Sequence, residues 1–190
     1  MQLHKRDVVD AATALLDNYG IADLSMRRLA RELAVSPGAL YWHFANKQEL
    51  LGAVADRILA PVTDVTGDWR VRVTGMCGQL RDALLSHTDG AELVSASFAA
   101  GQSEEMSRLV ERLREAATEA GVAPEHAELA GRTVVYYVLG FTADEQSRLQ
   151  WDAAGARVAQ PVWTDDAGAR FAFGLGLLVD GIAAHSRTGA

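Results

Sequence analysis

Apolar residues recur every three to four positions along almost the whole chain, and no stretch keeps the two-residue alternation of a half-buried strand. The first apolar stripe extends from Val8 to Tyr19 and is followed by Gly20, which is typical of a helix end. Farther along the chain, the same pattern predicts helices at about 68–87, 91–99, 103–120, 124–147 and 166–186. We therefore expect an all-α fold, with Gln150–Asp165 as its longest irregular segment.

Closely spaced capping signals in the N-terminal part of the chain predict shorter helices. Ser25 precedes an apolar stripe and predicts the N-cap of a second helix. Ser36, with Pro37 at the first helical position, predicts the start of a third helix. Asn46, with Glu49 three residues later, predicts the start of a fourth. Short helices with a tight link between the second and third are typical of a helix-turn-helix.

The formal net charge is −7, from 18 Lys+Arg and 25 Asp+Glu, and it is unevenly distributed. An acidic chain is not expected to coat nucleic acid or an anionic membrane through a general positive field. Residues 1–50, however, contain as many basic as acidic residues, and from Ser25 to Lys47 the only acid is Glu32. A positive segment on an otherwise acidic chain indicates either two separate functions on one chain or only a solvated helix face, and charge alone leaves both open.

The composition argues against several classes of protein. Cys77 is the only cysteine, so no intrachain disulfide can form, as suits a reducing cytoplasm. The apolar run Phe171–Val179 is far shorter than the ~20 residues that cross a bilayer, and charges near the N-terminus interrupt any signal-peptide core. The sequence has no paired carboxylates, nucleophile–base spacing or phosphate loop. We therefore expect a cytoplasmic protein that is not an enzyme, has no membrane partner and needs no metal or cofactor.

The third predicted helix has the composition of a helix that enters the major groove of DNA. It begins with small residues, which permit a close approach to base edges, and continues with hydroxyl, indole and imidazole groups that can bond phosphates or bases. A lysine at the start of the fourth helix can hold a phosphate. These candidate residues are Pro37, Gly38, Ala39, Tyr41, Trp42, His43 and Lys47. The alternative is that the aromatic residues fill a helical core.

Residues 24–51 resemble the DNA-binding domain of TetR-family transcriptional regulators. The resemblance rests on the tight turn, the Leu-Tyr-Trp-His run and the Asn-Lys-x-x-Leu start of the next helix. Residues 83–91 and 171–175 are similar to the regulatory domain of the tetracycline-repressor subgroup. The family implies that Arg27 binds a phosphate or a base edge. It also implies base contacts for Pro37, Gly38 and Ala39, and phosphate contacts for Tyr41, Trp42, His43 and Lys47.

Two departures from the family pattern affect these expectations. Ala34 stands at the turn where a glycine is common, which raises the backbone cost if that position is left-handed. Gly38 and Ala39 lack the longer polar side chains of the tetracycline repressor, so the operator sequence of that repressor is not assumed for this protein.

The resemblance implies a helix-turn-helix DNA-binding domain over 1–46, a connecting helix over 47–66 and a helical ligand-binding and dimerisation domain over 67–190. Pro61 and Gly67 support a break in that region. The implied function is that of a repressor released from a palindromic double-stranded DNA operator when a homodimer binds a small-molecule effector. The alternative is a small-molecule-binding protein or enzyme whose N-terminal helices are only structural.

Alignment with tetracycline-binding members implies an effector pocket of a different character. Those members hold a drug–magnesium complex with histidines, and no histidine remains at the corresponding positions, so a hydrophobic effector is expected. The implied pocket residues are Thr63, Met76, Leu80, Val94, Ser97 and Phe98. Plain core positions are the alternative reading of the same residues.

The helices predicted at 124–147 and 166–186 correspond to the four-helix dimer interface of the family. Their apolar density permits this role, although a monomeric core would show the same density. The implied interface residues are Val134, Val138, Phe141, Phe171, Leu175, Leu178 and Ile182.

Overall fold

A computed structural model describes residues 3–155 and 166–187, and within these ranges the chain forms α-helices and one 3₁₀ turn but no strand. The expected all-α fold is thereby confirmed. The helices are α1 Lys5–Tyr19, α2 Met26–Glu32, α3 Pro37–Tyr41, α4 Lys47–Leu59, α5 Trp69–Leu85, α6 Gly90–Ala99, α7 Glu104–Glu119, α8 Pro124–Ala153 and α9 Ala167–Arg187, with the 3₁₀ turn at Ile21–Asp23.

The three predicted N-caps are confirmed, because each side chain accepts a hydrogen bond from the backbone N–H three residues later. The pairs are Ser25 with Arg28 (3.3 Å), Ser36 with Ala39 (3.3 Å) and Asn46 with Glu49 (2.8 Å). The Glu49 carboxylate accepts from the N–H of Ala45 (2.8 Å), one residue before the position that a capping box would use. Local sequence therefore determines where the three short helices begin.

The described residues divide into two compact units. The N-terminal unit consists of the residues up to Pro61 together with Asp82–Ser107, so that α6 groups with α1 to α4. The C-terminal unit consists of Val62–Arg81 together with the residues from Arg108 onward. Both α5 and α7 contribute residues to each unit.

The core of the N-terminal unit centres on α4, which packs against α1 and α6. Leu40 on α3 and Phe44 after it have no exposed surface, and neither does Leu29 on α2. Burying each such side chain contributes roughly 1.5–3 kcal/mol. The inner face of the helix-turn-helix is therefore attached to the same core as the rest of the unit.

Two residues of α4 hold it against the turn between α6 and α7. A Cβ atom added to Gly52 would lie 2.2 Å from the carbonyl oxygen of Gln102, so only glycine permits this approach. One helical turn later, the Asp56 carboxylate accepts hydrogen bonds from the Ser103 hydroxyl (2.7 Å) and from the backbone N–H of Glu105 (3.0 Å). Because Asp56 caps the first turn of α7, α4 and the start of α7 have a fixed relative position.

The end of α1 is held in the same way by the turn before α6. The Thr88 hydroxyl donates to the carbonyl oxygen of Asp17 (2.9 Å), and Nδ1 of His87 lies 3.0 Å from the Asp17 carboxylate. The Asp89 carboxylate accepts from the N–H of Ile21 (2.9 Å). Hydrogen bonds thus join the end of α1 and the following 3₁₀ turn to the turn before α6.

In the C-terminal unit, α8 and α9 approach closely where Gly174 faces Tyr137. A Cβ atom on Gly174 would lie 2.3 Å from the Tyr137 hydroxyl oxygen, and that hydroxyl donates to the carbonyl oxygen of Phe171 (2.8 Å). Arg81 on α5 forms two hydrogen bonds with Glu145 on α8, at 2.9 and 2.6 Å, in a largely enclosed position. These contacts connect three helices of the unit.

The C-terminal helices differ from expectation in two respects. The helix α8 extends beyond 147 to Ala153, so the predicted irregular segment begins later, and residues 156–165 lie outside the described part of the chain. Ala167–His185 in α9 is long and apolar enough to cross a membrane by length and composition, with a mean hydropathy of 1.4. The apolar run Phe171–Val179 lies inside this segment, which is longer because it also includes the charged residues Arg170 and Asp180. One such helix is weak evidence for a membrane span, because the core helix of a globular protein meets the same criterion.

The turn residue Ala34 has φ +52°, which is the left-handed conformation. This conformation is costly for alanine, which has a Cβ atom, but not for glycine. We expect Ala34→Gly to raise the free energy of unfolding by about 1 kcal/mol, measured by urea denaturation. The matched control is Ala14→Gly at an exposed position inside α1, which should lower it by about 1 kcal/mol. A similar loss in both variants would contradict the strain at Ala34.

Candidate nucleic-acid interface

The helix α3 has one buried face and one exposed face. Leu40 is fully buried, whereas Pro37 and Gly38 are exposed and Ala39 is half-buried. Tyr41 exposes 52% of its surface and Trp42 exposes 90%. An indole with nine-tenths of its surface in solvent contributes almost nothing to a core, so the alternative of an aromatic core does not apply to Trp42.

The two remaining predicted residues of this surface lie where α3 passes into α4. His43 and Lys47 are both half-buried, and Lys47 is the first residue of α4. Between them, Phe44 is fully buried, with the ammonium of Lys5 4.7 Å from its ring centroid. The buried ring anchors the link between α3 and α4. It thereby holds the backbone that carries Trp42, His43 and Lys47 against the core.

The acid closest in sequence to Lys47 is held by partners of its own. The Glu49 carboxylate accepts from the Ala45 N–H and lies 3.3 Å from the Lys5 ammonium. The hydrogen bond from Ala45 and then the one from Lys5 lower the pKa of Glu49, so it stays charged but compensated. Lys47 itself has no carboxylate within ion-pair distance in the described part of the chain.

The structure divides the basic residues of the N-terminal unit into paired and unpaired groups. Arg28 pairs with Asp23 and lies over the Tyr19 ring, and Arg57 pairs with Asp10 (3.2 Å). Among the residues that the structure describes, four cations of this unit lie without an ion-pair partner. They are Arg6, Arg27, Arg31 and Lys47. Residue counting could not make this distinction, because the pairing depends on which side of its helix each cation occupies.

The predicted effector residues occur in both units. In the C-terminal unit, Met76 and Leu80 are fully buried, but Thr63 is exposed and its N–H donates to Gln79 (2.7 Å). Thr63 therefore does not line the interior of that unit.

In the N-terminal unit, Val94 is fully buried and Phe98 is half-buried. Ser97 is 2% exposed, and its hydroxyl oxygen finds no hydrogen-bond partner among the described residues. An orphaned buried hydroxyl costs about 1–3 kcal/mol, so Ser97 differs from a plain core position.

The predicted dimer residues are mostly enclosed by the chain itself. Phe141 and Leu178 are half-buried, whereas the others lie inside the C-terminal unit with at most 9% exposure. These enclosed residues are Val134, Val138, Phe171, Leu175 and Ile182. A partner chain would touch these five side chains only at the fraction of their surface that is left exposed, so their place in a dimer interface stays a prediction.

A different set of apolar side chains on α8 and α9 faces solvent. Leu129, Tyr136, Phe173 and Leu177 each expose more than half of their surface. A groove of about 370 Å³ follows the two helices. Its lining includes Val122, His126, Leu129, Leu177 and His185, together with Val134, Leu178 and Ile182 of the predicted dimer residues.

Within the described residues, no three His, Cys, Asp or Glu side chains come together as a metal site would require. Cys77 is buried, and desolvation raises the pKa of its thiol to about 12, so the thiolate that reacts or binds metal is not formed near neutral pH.

Comparison with known proteins identifies the family over most of the chain. Residues 8–54 match the family model for bacterial regulatory proteins of the tetR family, and residues 60–161 match the tetracyclin repressor-like C-terminal domain. The tetracycline repressor protein class A from transposon 1721 of Escherichia coli is 35% identical, over 96% of this chain and 91% of that protein.

Solved structures agree with this assignment. Mycobacterium smegmatis BioQ is 64% identical, with a TM-score of 0.91 over 97% of this chain and 99% of that one. A structure of BioQ with its natural double-stranded DNA operator is 61% identical, with a TM-score of 0.82 over 97% of this chain and 100% of that one. With both halves matched and the helix-turn-helix surface formed as described, this chain belongs to the TetR family of bacterial regulatory proteins.

Proposed function

We propose that this protein is a ligand-responsive transcriptional repressor that binds a palindromic DNA operator as a homodimer and is released by a small apolar effector. The observation that carries the proposal is the exposure of Trp42 directly after α3, a helix whose inner face is anchored by the buried Leu40. The operator complex of BioQ, a protein 61% identical to this one, supports it. We infer that the protein acts in the cytoplasm, without a membrane partner, and is not an enzyme.

The surface of α3 and its neighbours supplies both kinds of DNA contact. Small residues at the start of α3 let the backbone approach base edges, while the longer side chains and the start of α4 hold phosphates. Arg27, without a carboxylate partner in the described residues, is available for a phosphate or a base edge. The proposed base contacts are Pro37, Gly38 and Ala39, and the proposed phosphate contacts are Tyr41, Trp42, His43 and Lys47.

Dimerisation follows from the size of this surface. One helix-turn-helix contacts few bases, whereas a two-fold dimer reads two half-sites about 34–36 Å apart. We place the dimer surface on the solvent-facing side of α8 and α9, around Leu129, Tyr136, Phe173 and Leu177. An exposed apolar surface of this kind is typical of an interaction site.

The effector is proposed to be mainly apolar, with a polar group that could satisfy the orphaned hydroxyl of Ser97. Effector binding would favour a conformation whose recognition helices no longer match the operator. Inside the N-terminal unit, Gly52 and Asp56 attach α4 to residues 102–105. A displacement of residues 102–105 on effector binding would therefore displace α4 as well.

Lys47 should make a phosphate contact that is visible in the salt dependence of binding. With a duplex selected by this protein from a random-sequence pool, we expect Lys47→Ala to reduce the log–log salt slope by about 0.9 for each protomer. Arg57→Ala is the control, because Arg57 already pairs with Asp10, and its slope should stay close to that of the wild type. An unchanged slope in Lys47→Ala would remove Lys47 from the interface.

The solvent-facing side of α9 should control assembly. Leu177→Glu should raise the dimer dissociation constant by at least about 100-fold, because burying an unpaired carboxylate costs several kcal/mol. Sedimentation equilibrium measures the constant, and Val71→Glu, at another exposed apolar position, is the control. A Leu177→Glu dimer as tight as that of the wild type would place the dimer surface elsewhere.

Tetracycline should not be an effector of this protein, because no histidine stands at the expected magnesium-binding positions. Titration with tetracycline and magnesium should produce no saturable, magnesium-dependent quenching of tryptophan fluorescence. The class A tetracycline repressor of E. coli serves as the positive control. Tight magnesium-dependent quenching in this protein would contradict the apolar pocket.

A further inference from the structure

The solvent-facing surface of α2 has two flanks of different character. Met26, Leu29 and Ala30 are buried and define the inner side of the helix. At 100° per residue, Arg27 and Arg31 fall together on one flank, one helical turn apart. The other flank carries Arg28 and Glu32.

The charge on one flank is compensated within the protein. Arg28 pairs with Asp23, and its guanidinium lies 3.9 Å from the centroid of the Tyr19 ring. Glu32 adds a second acid on that side. Arg28 therefore stabilises the start of α2 and has little free charge to offer an external anion.

The charge on the other flank is not compensated. Arg27 and Arg31 are both exposed, and neither has a carboxylate within ion-pair distance in the parts of the chain that the structure describes. Like charges at i and i+4 on a helix repel each other and destabilise it. An anion bound along this flank would attract both guanidinium groups and offset their mutual repulsion. Arg6 also lacks an ion-pair partner among the described residues, but the residue one turn later is Asp10 and not a second arginine.

The position of Arg31 places this flank next to the recognition helix. Its carbonyl oxygen accepts a hydrogen bond from the N–H of Ala34 (3.1 Å), the left-handed residue of the turn that leads to Ser36 and α3. Four residues along a helix correspond to a rise of about 6 Å. A guanidinium at Arg31 can thus continue a row of phosphate contacts that begins at Arg27.

We infer that Arg31 is a phosphate-binding residue that extends the DNA interface along α2, beyond the residues that the family resemblance assigns. This inference rests on the proposed function, since it names a further contact of the same surface. A phosphate contact carries no sequence information by itself, so Arg31 contributes affinity and salt dependence but not base preference.

The test measures the log–log salt slope of binding to the duplex selected by this protein. Arg31→Ala should reduce the slope by about 0.9 for each protomer, and Arg31→Lys, which keeps the charge, should retain most of it. Single-base variants of the duplex should keep their relative affinities in Arg31→Ala. The control on the same helix is Arg28→Ala, whose paired charge should change the slope by less than half as much.

The outcomes separate the inference from the function on which it rests. A wild-type protein without salt-dependent operator binding would overturn the proposed function. A wild-type slope retained by Arg31→Ala would overturn the inference alone. Thermal unfolding of each variant completes the test, since a residue that only stabilises the C-terminal end of α2 would lower the melting temperature and leave the slope unchanged.

Discussion

Close packing of α4 against the turn between α6 and α7 is the contact on which the geometry of the DNA-binding surface depends. At Gly52, the helix approaches the Gln102 carbonyl more closely than any side chain would permit, and Asp56 caps α7 one turn later. The fully buried Leu40 and Phe44 attach α3 and its link to the same core. The inner face of α3 is thus enclosed, while Trp42, directly after the helix, lies in solvent.

The acidic net charge and the basic surface are compatible because the cations differ in their partners. Arg28 and Arg57 are compensated by carboxylates of the same unit and contribute to its stability. Arg27, Arg31 and Lys47 have no such partner among the described residues and remain available to phosphates. A general positive field is therefore unnecessary, and the acidic remainder of the chain disfavours contacts away from this surface.

The sequence predicted the helices and their N-caps well because these features depend on neighbours within one helical turn. It also singled out Ala34 as a position where a left-handed backbone would be costly, and φ there is +52°. It did not predict the end of α8 at Ala153. Apolar spacing shows that Val134 and Leu175 face inward, but not whether a second chain or the same chain encloses them.

By itself, the sequence determined the all-α class, the starts of the short helices and the family, since each rests on short-range patterns of residues. Only the tertiary structure decided which cations are paired, which apolar side chains of α8 and α9 remain in solvent, and that α6 groups with the N-terminal helices. The physical reason is the range of the interactions. Capping and helix periodicity act over about four residues, whereas ion pairing and burial depend on segments that are distant in sequence and meet only in the folded chain.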